Sequence, residues 1–131
     1  MPNGEPMTRS SRGFTLIELL VVMVLISLLL SIAIPTYFGH VDKAKETVLR
    51  QDLAQMRDAI DKYAADFGRY PDSLEEMVAR RYIRKVPVDP ITERADSWQL
   101  VAPERKDMGK LFDVRSGAQG RAKDGSDYAS W

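Results

Sequence analysis

The sequence predicts an α+β protein: one long N-terminal α-helix, membrane-spanning in its first half, packed on a small antiparallel β-sheet with a structured C-terminal loop. Three observations predict it. Leu19–Ile34 carries no charge, and only Ser27 and Ser31 in it are polar. Beyond Pro35 the apolar residues keep returning at steps of three and four, the helical rhythm. After Gly68 that rhythm gives way to turns, prolines and short β-prone runs.

Met1–Gly13 reads as a short polar leader with Arg9 and Arg12 near its end. Residues 14–34 form the membrane-spanning half: as a helix they cover about 32 Å at ~1.5 Å per residue. A hydrocarbon core is roughly 30 Å thick. By the positive-inside rule, the two arginines before the run place the leader in the cytoplasm and the chain beyond Ile34 outside the inner membrane. A secretory signal peptide fits less well, because the run is long and no Ala-x-Ala-like site comes after it. Hydropathy alone leaves a generic signal anchor open.

Residues 35–131 are then one periplasmic globular domain. Tyr37, Val41, Ala44 and Val48, then Leu49, Leu53, Met56, Ile60, Tyr63 and Phe67, make one apolar stripe. Glu46/Arg50, Arg57/Asp61 and Asp58/Lys62 are opposite charges four apart on the other face. One helix from about Phe14 to Phe67 is expected, on the order of 80 Å long at ~1.5 Å per residue. So small a domain cannot cover it; its exposed half needs lipid or copies of itself. Gly68 supplies the C-terminal stop. Asp72 or Ser73 can cap a short helix from Leu74 to about Arg81, with Glu75 and Glu76 in its first turn. Val86–Pro87–Val88–Asp89–Pro90 is extended, since two prolines forbid helix. Ser97–Ala102 and Lys110–Val114 read as short strands, and a Gly-, Ser- and Asp-rich loop runs on from Ser116.

Composition narrows the function classes. Nineteen basic and nineteen acidic residues cancel in a chain of 131, so nothing suggests a nucleic-acid partner. The absence of cysteine removes disulfides, thiolate metal sites and cysteine nucleophiles. A single histidine, His40, argues against a His-rich metal site or a His-based triad. No acid/base spacing stands out, and a non-enzymatic role is expected.

Arg12–Gly13–Phe14–Thr15–Leu16–Ile17–Glu18, then the apolar run and Pro35, resembles the processing site of the type IV pilin-like family. That resemblance implies cleavage by prepilin peptidase between Gly13 and Phe14, and methylation of the Phe14 amine. A glycine before the cut leaves the backbone open to a protease at the membrane face. Glu18 is the sharpest residue, because a carboxylate in an apolar helix is expensive and a functional suspect by default. By resemblance it pairs with the Phe14 amine of a neighbouring subunit, a charge pair that rewards correct axial register in a low dielectric. Pro35 leaves the Ser31 carbonyl without its helical partner. In the family this zone can loosen on entry into the filament. Ser27 and Ser31 could satisfy freed backbone groups or serve as small packing residues.

Gly68–Arg69–Tyr70–Pro71, Leu74, Val86–Pro87, Asp89–Pro90 and the ending from Phe112 through Asp124–Gly125 to Trp131 resemble the major pseudopilin of type II secretion. The implied function is a structural subunit of a periplasmic pseudopilus, polymerised from the inner membrane with copies of itself, other pseudopilins and an inner-membrane assembly platform. A major or minor type IV pilus subunit for adhesion, motility or DNA uptake is the alternative. A membrane-anchored periplasmic binding domain that never polymerises is a third.

In major pseudopilins a bound calcium ion holds the C-terminal loop. By that resemblance Asp124 and Asp127 match the acidic positions, and Ser116, Asp113 and Ser126 offer further oxygens. Gln119 departs from the family, which often has an aspartate there; its uncharged carbonyl implies weaker affinity or no ion. A solvated loop with Asx-turns is the other possibility. The loop has too few apolar residues to order itself by burial, at roughly 1–2 kcal/mol of backbone entropy per residue. Tyr128 and Trp131 are expected to dock and offset part of that.

Overall fold

The computed structural model describes Gly4 and residues 13–131. Most of the expected leader, with Arg9 and Arg12, lies outside the described residues. The elements are α1 (Leu16–Phe67), α2 (Leu74–Ala79), β1 (Gln99–Val101) and β2 (Asp113–Arg115), with single 3-10 turns at Lys106–Met108 and Tyr128–Ser130. The chain divides into two compact units, the first ending at Phe38 and the second spanning Gly39–Trp131.

In the first unit every residue of α1 through Phe38 is exposed, including Leu16, Leu20, Met23, Leu29 and Ile32. It has the length and composition to cross a membrane. The helix starts at Leu16 rather than Phe14, because Thr15 is the cap: its Oγ1 accepts the Glu18 amide at 3.2 Å. The hydroxyls of Ser27, Ser31 and Thr36 donate to the carbonyls of Met23, Leu28 and Ile32. Each side chain thus satisfies itself within its own helix. The Ser31 carbonyl, which Pro35 deprives of a partner, is not among their targets.

The second unit has its own core. Leu49, Leu53, Met56, Ala59, Ile60 and Tyr63 of α1 pack with Leu74 and Met77 of α2, Ile83, Trp98, Leu111 and Val114. Each large apolar side chain fully buried here contributes about 1.5–3 kcal/mol. The spaced apolar stripe runs further than the core does. Tyr37, Val48 and Phe67 are exposed, and the buried face begins at Leu49. Phe67 instead stacks on Tyr63, 4.5 Å between ring centroids, and lies under the Arg80 guanidinium. Gly68 ends α1 with φ +69°, a left-handed backbone that glycine adopts without strain.

Ser73 caps α2, accepting the Glu76 amide at 3.1 Å. Glu76 then reaches back to the Asp72 amide at 2.8 Å and accepts the Tyr63 hydroxyl at 2.6 Å. α2 closes at Ala79, two residues before Arg81, because Arg81 turns left-handed and the Tyr82 amide folds back to the Met77 carbonyl at 2.9 Å. The sheet is two-stranded and antiparallel, with Gln99 opposite Arg115, Leu100 opposite Val114 and Val101 opposite Asp113. Both strands are shorter than expected. The amides of Lys110 and Leu111 bond the Pro71 carbonyl and so leave the ladder, and Gly117 runs so close to Ser97 that no side chain fits between them.

Candidate functional site

Two places carry the residues that the sequence singles out. At the first, Gly13, Phe14 and Thr15 are non-helical and exposed, and Phe14 is 87% exposed. A protease can reach this backbone without unwinding a helix. Glu18 lies in the first turn of α1, where the partial positive charge of unpaired amides favours a carboxylate. Phe14, Glu18, Leu19 and Val22 line one shallow depression on a single face. Phe14 and the Glu18 carboxylate are therefore neighbours, and Glu18 is the one charged residue between Phe14 and Ile34. Thr15 is a capping residue that the motif alone does not single out; the spacing Thr15-x-x-Glu18 before an apolar run is the signal that marks it.

The second place is the C-terminal loop. Asp124 Oδ1 accepts the Ser126 amide at 2.9 Å and the Ser126 hydroxyl at 2.6 Å. Arg50 of α1 approaches Asp124 Oδ2 at 3.4 Å. The two bonds from Ser126, aided by Arg50, hold the Asp124 carboxyl below the usual aspartate range. Asp127 pairs with Arg121 at 3.4 Å, and the two residues also form a backbone bridge. Ser116 is elsewhere: it is fully buried, donates to Asp89 Oδ2 at 2.5 Å and accepts the Ala118 amide at 3.1 Å. Asp113 accepts Arg57 Nε at 2.8 Å and the Val114 amide at 2.8 Å. Gln119 is exposed.

A calcium ion takes six to eight oxygens from one concave site. Ser116 is sealed away on Asp89, and Asp124 and Asp127 each already face a guanidinium. Among the described residues no three His, Asp or Glu side chains gather as a metal cluster. The side-chain donors as folded do not converge on one ion.

The loop is instead tied to α1. Arg57 donates to Asp113, to the Val114 carbonyl at 2.9 Å and to the Trp131 main-chain oxygen. Arg50 lies over the Trp131 ring, 4.0 Å from its centroid. Glu46 accepts the Lys123 amide and the Tyr128 hydroxyl, each at 3.0 Å. Burial, and then the Glu46 carboxylate, push the Tyr128 phenol up to about 12. Trp131 Nε1 donates to Ser126 at 2.7 Å, and its ring meets Tyr128 edge-on at 5.1 Å. Two of the three helical charge pairs expected four residues apart are thereby replaced. Only Asp58–Lys62 forms, at 2.9 Å. Glu46, Arg50 and Arg57 turn to the loop instead. The sequence holds no local signal for this, because their partners lie 56 to 82 residues away.

The family model for the prokaryotic N-terminal methylation motif matches residues 8–34, and that for type II secretion system (T2SS), protein G, matches residues 36–130. The chain belongs to the type II secretion system protein G family. Similar proteins include the type II secretion system core protein G of Klebsiella michiganensis, 30% identical over 94% of this chain and 94% of the relative. The core protein G of Pseudomonas aeruginosa is 30% identical over 94% and 96%. That of Klebsiella pneumoniae is 31% identical over 92% and 94%. No solved structure matches. For this protein G family member, the methylation-motif match covers Gly13, Phe14 and Glu18, and the protein G match covers the core and nearly all of the C-terminal loop.

Proposed function

We propose that this chain is a structural subunit of the pseudopilus of a type II secretion system, anchored in the inner membrane before assembly, with its globular domain in the periplasm. The observation that carries the proposal is the first unit: an apolar helix exposed on every side, with one carboxylate at its start and an extended Gly13–Phe14 before it. Such a surface is stable only in lipid or against other copies, and membership in the protein G family favours both in succession. Prepilin peptidase cuts between Gly13 and Phe14 and methylates the new amine. Glu18 then meets the Phe14 amine of a neighbouring copy, and Pro35 lies where the helix adapts as the subunit leaves the bilayer. Other pseudopilins and an inner-membrane assembly platform complete the machinery. The role is mechanical rather than catalytic.

The test has two arms. Mass spectrometry of the protein from a host with active prepilin peptidase should find a chain beginning at methylated Phe14. A chain retaining Met1 would refute the processing step. Glu18→Ala should still be cut and inserted, but filament yield measured by crosslinking should fall about tenfold or more, since each ~1.4 kcal/mol lost per contact is a factor of ten. Filaments of normal abundance would refute the pairing.

A further inference from the structure

We propose that the C-terminal loop of this chain is held by a clamp of its own cations, with the guanidinium groups of Arg50, Arg57 and Arg121 standing where a loop of this kind would otherwise need a bound calcium ion. The side-chain donors do not converge on one ion, and every carboxylate in question has an arginine. Asp127 has Arg121 at 3.4 Å, Asp124 has Arg50 at 3.4 Å, and Asp113 has Arg57 at 2.8 Å. A divalent cation entering beside Asp124 or Asp127 would compete with a guanidinium already paired there, although both pairs are solvent-exposed and each is weak by itself.

Arg57 is the strongest member. It is partly buried, and its planar fork reaches three acceptors on two different segments, Asp113 and Val114 on β2 and the main chain of Trp131. A flexible ammonium cannot match that fixed geometry. Arg50 adds a face-on contact with the Trp131 ring, and cation–π contacts of this kind strengthen when shielded from water. Glu46 completes the grip from the same helix through Lys123 and Tyr128. Glu46, Arg50 and Arg57 are spaced by four and seven residues, which puts them on one face of α1. Gln119 fits the same logic: a loop with its own counter-charges has no use for a further carboxylate there.

The experiment is a thermal melt of the full chain in detergent micelles, monitored by tryptophan fluorescence, with chelator, with millimolar calcium and with millimolar magnesium. An ion that binds the native state raises Tm with its concentration by mass action. The expected result is one Tm, equal within about 1 °C in all three conditions. Arg57→Lys, which keeps the charge and loses the fork, should lower Tm by about 5 °C or more. Arg50→Gln should lower it less and blue- or red-shift the Trp131 emission, because the guanidinium leaves the ring. A calcium-dependent rise in the Tm of the unmodified chain would overturn the proposal. So would an Arg57→Lys chain that melts with the unmodified one. The calcium series needs no variant, so the proposal stays testable even if the Arg57 substitution prevents folding.

Discussion

Replacing Asp89 with alanine should unfold this domain more readily than any other single polar change in it. Asp89 is fully buried, and its carboxylate is the hub of the loop between α2 and β1. Oδ1 accepts the Ile91 amide at 2.8 Å and the Thr92 amide at 3.3 Å; Oδ2 accepts the Ser116 hydroxyl at 2.5 Å. Asp89→Ala leaves three donors without an acceptor. The Ser116 hydroxyl is buried, and a buried orphaned donor costs about 1–3 kcal/mol; the Ile91 and Thr92 amides are part-buried and each costs toward the lower end. The Ile91 and Ser116 bonds are short and charge-assisted, whereas the Thr92 bond is long. The sum is about 3–5 kcal/mol, a large part of the roughly 5–15 kcal/mol that holds a domain together. At about 4–8 °C per kcal/mol for a domain of this size, Tm should fall by about 15–30 °C. Asp89→Asn is the control. It keeps an acceptor at Oδ1, and Ser116 can turn to accept from the new amide, so about 1–2 kcal/mol is expected. The assay is a near-UV circular-dichroism melt of the full chain in micelles.

A pH profile separates charge from shape in the same pair. Burial first, and the Asp89 charge second, raise the Asp52 carboxyl above its ordinary 3.8. A raised folded value means that the folded state favours the protonated form. Stability from this group is present below the unfolded value and is lost as pH rises through the folded one. Asp89→Asn should shrink that loss. An alanine variant melting within about 5 °C of the unmodified chain would refute the hub reasoning.

Two further changes test other joints. Gly117→Ala would put a Cβ 1.9 Å from the Ser97 carbonyl oxygen, a contact that only backbone movement relieves. It should cost about 2–3 kcal/mol in a urea titration. Tyr63→Phe removes the 2.6 Å bond to Glu76 and should cost about 1–2 kcal/mol. The Tyr63 hydroxyl, then the Asp72 amide, hold Glu76 below its ordinary 4.5. That stability is present above the unfolded value and lost as pH falls through the lower folded one, so Tyr63→Phe should flatten the acid limb of the urea profile.

The features legible in the sequence are local or compositional. The uncharged run to Ile34, the stripe from Leu49 to Tyr63 and the stop at Gly68 each depend on near neighbours, and each stands in the structure. Helix ends are less legible, although the signals are present. Thr15-x-x-Glu18 and Ser73-x-x-Glu76 both carry cap spacing and mark the first turns of α1 and α2. Strand lengths are not legible, because the Leu111 amide bonds Pro71 across the fold and not its ladder partner. Asp89 reads only as part of an extended Asp–Pro stretch, since its partner Ser116 lies 27 residues on. Resemblance in turn assigns Ser116 to a metal loop, whereas in the fold its hydroxyl is buried and donates to Asp89.

The arginines carry the same lesson into function. The helical spacing of Arg57 pairs it with Asp61 on its own helix, a solvent-exposed pairing of about 0.3–0.5 kcal/mol. In the fold it serves residues 56 to 74 positions away, where partial burial and three acceptors give each contact more weight. A chain whose first unit is almost all exposed apolar side chains buries nothing there until lipid or another copy covers it. Its globular domain must therefore be closed by contacts made within Gly39–Trp131 alone. Glu46, Arg50 and Arg57 meet that need from one helical face, through Lys123, Tyr128, Trp131, Asp113 and Val114.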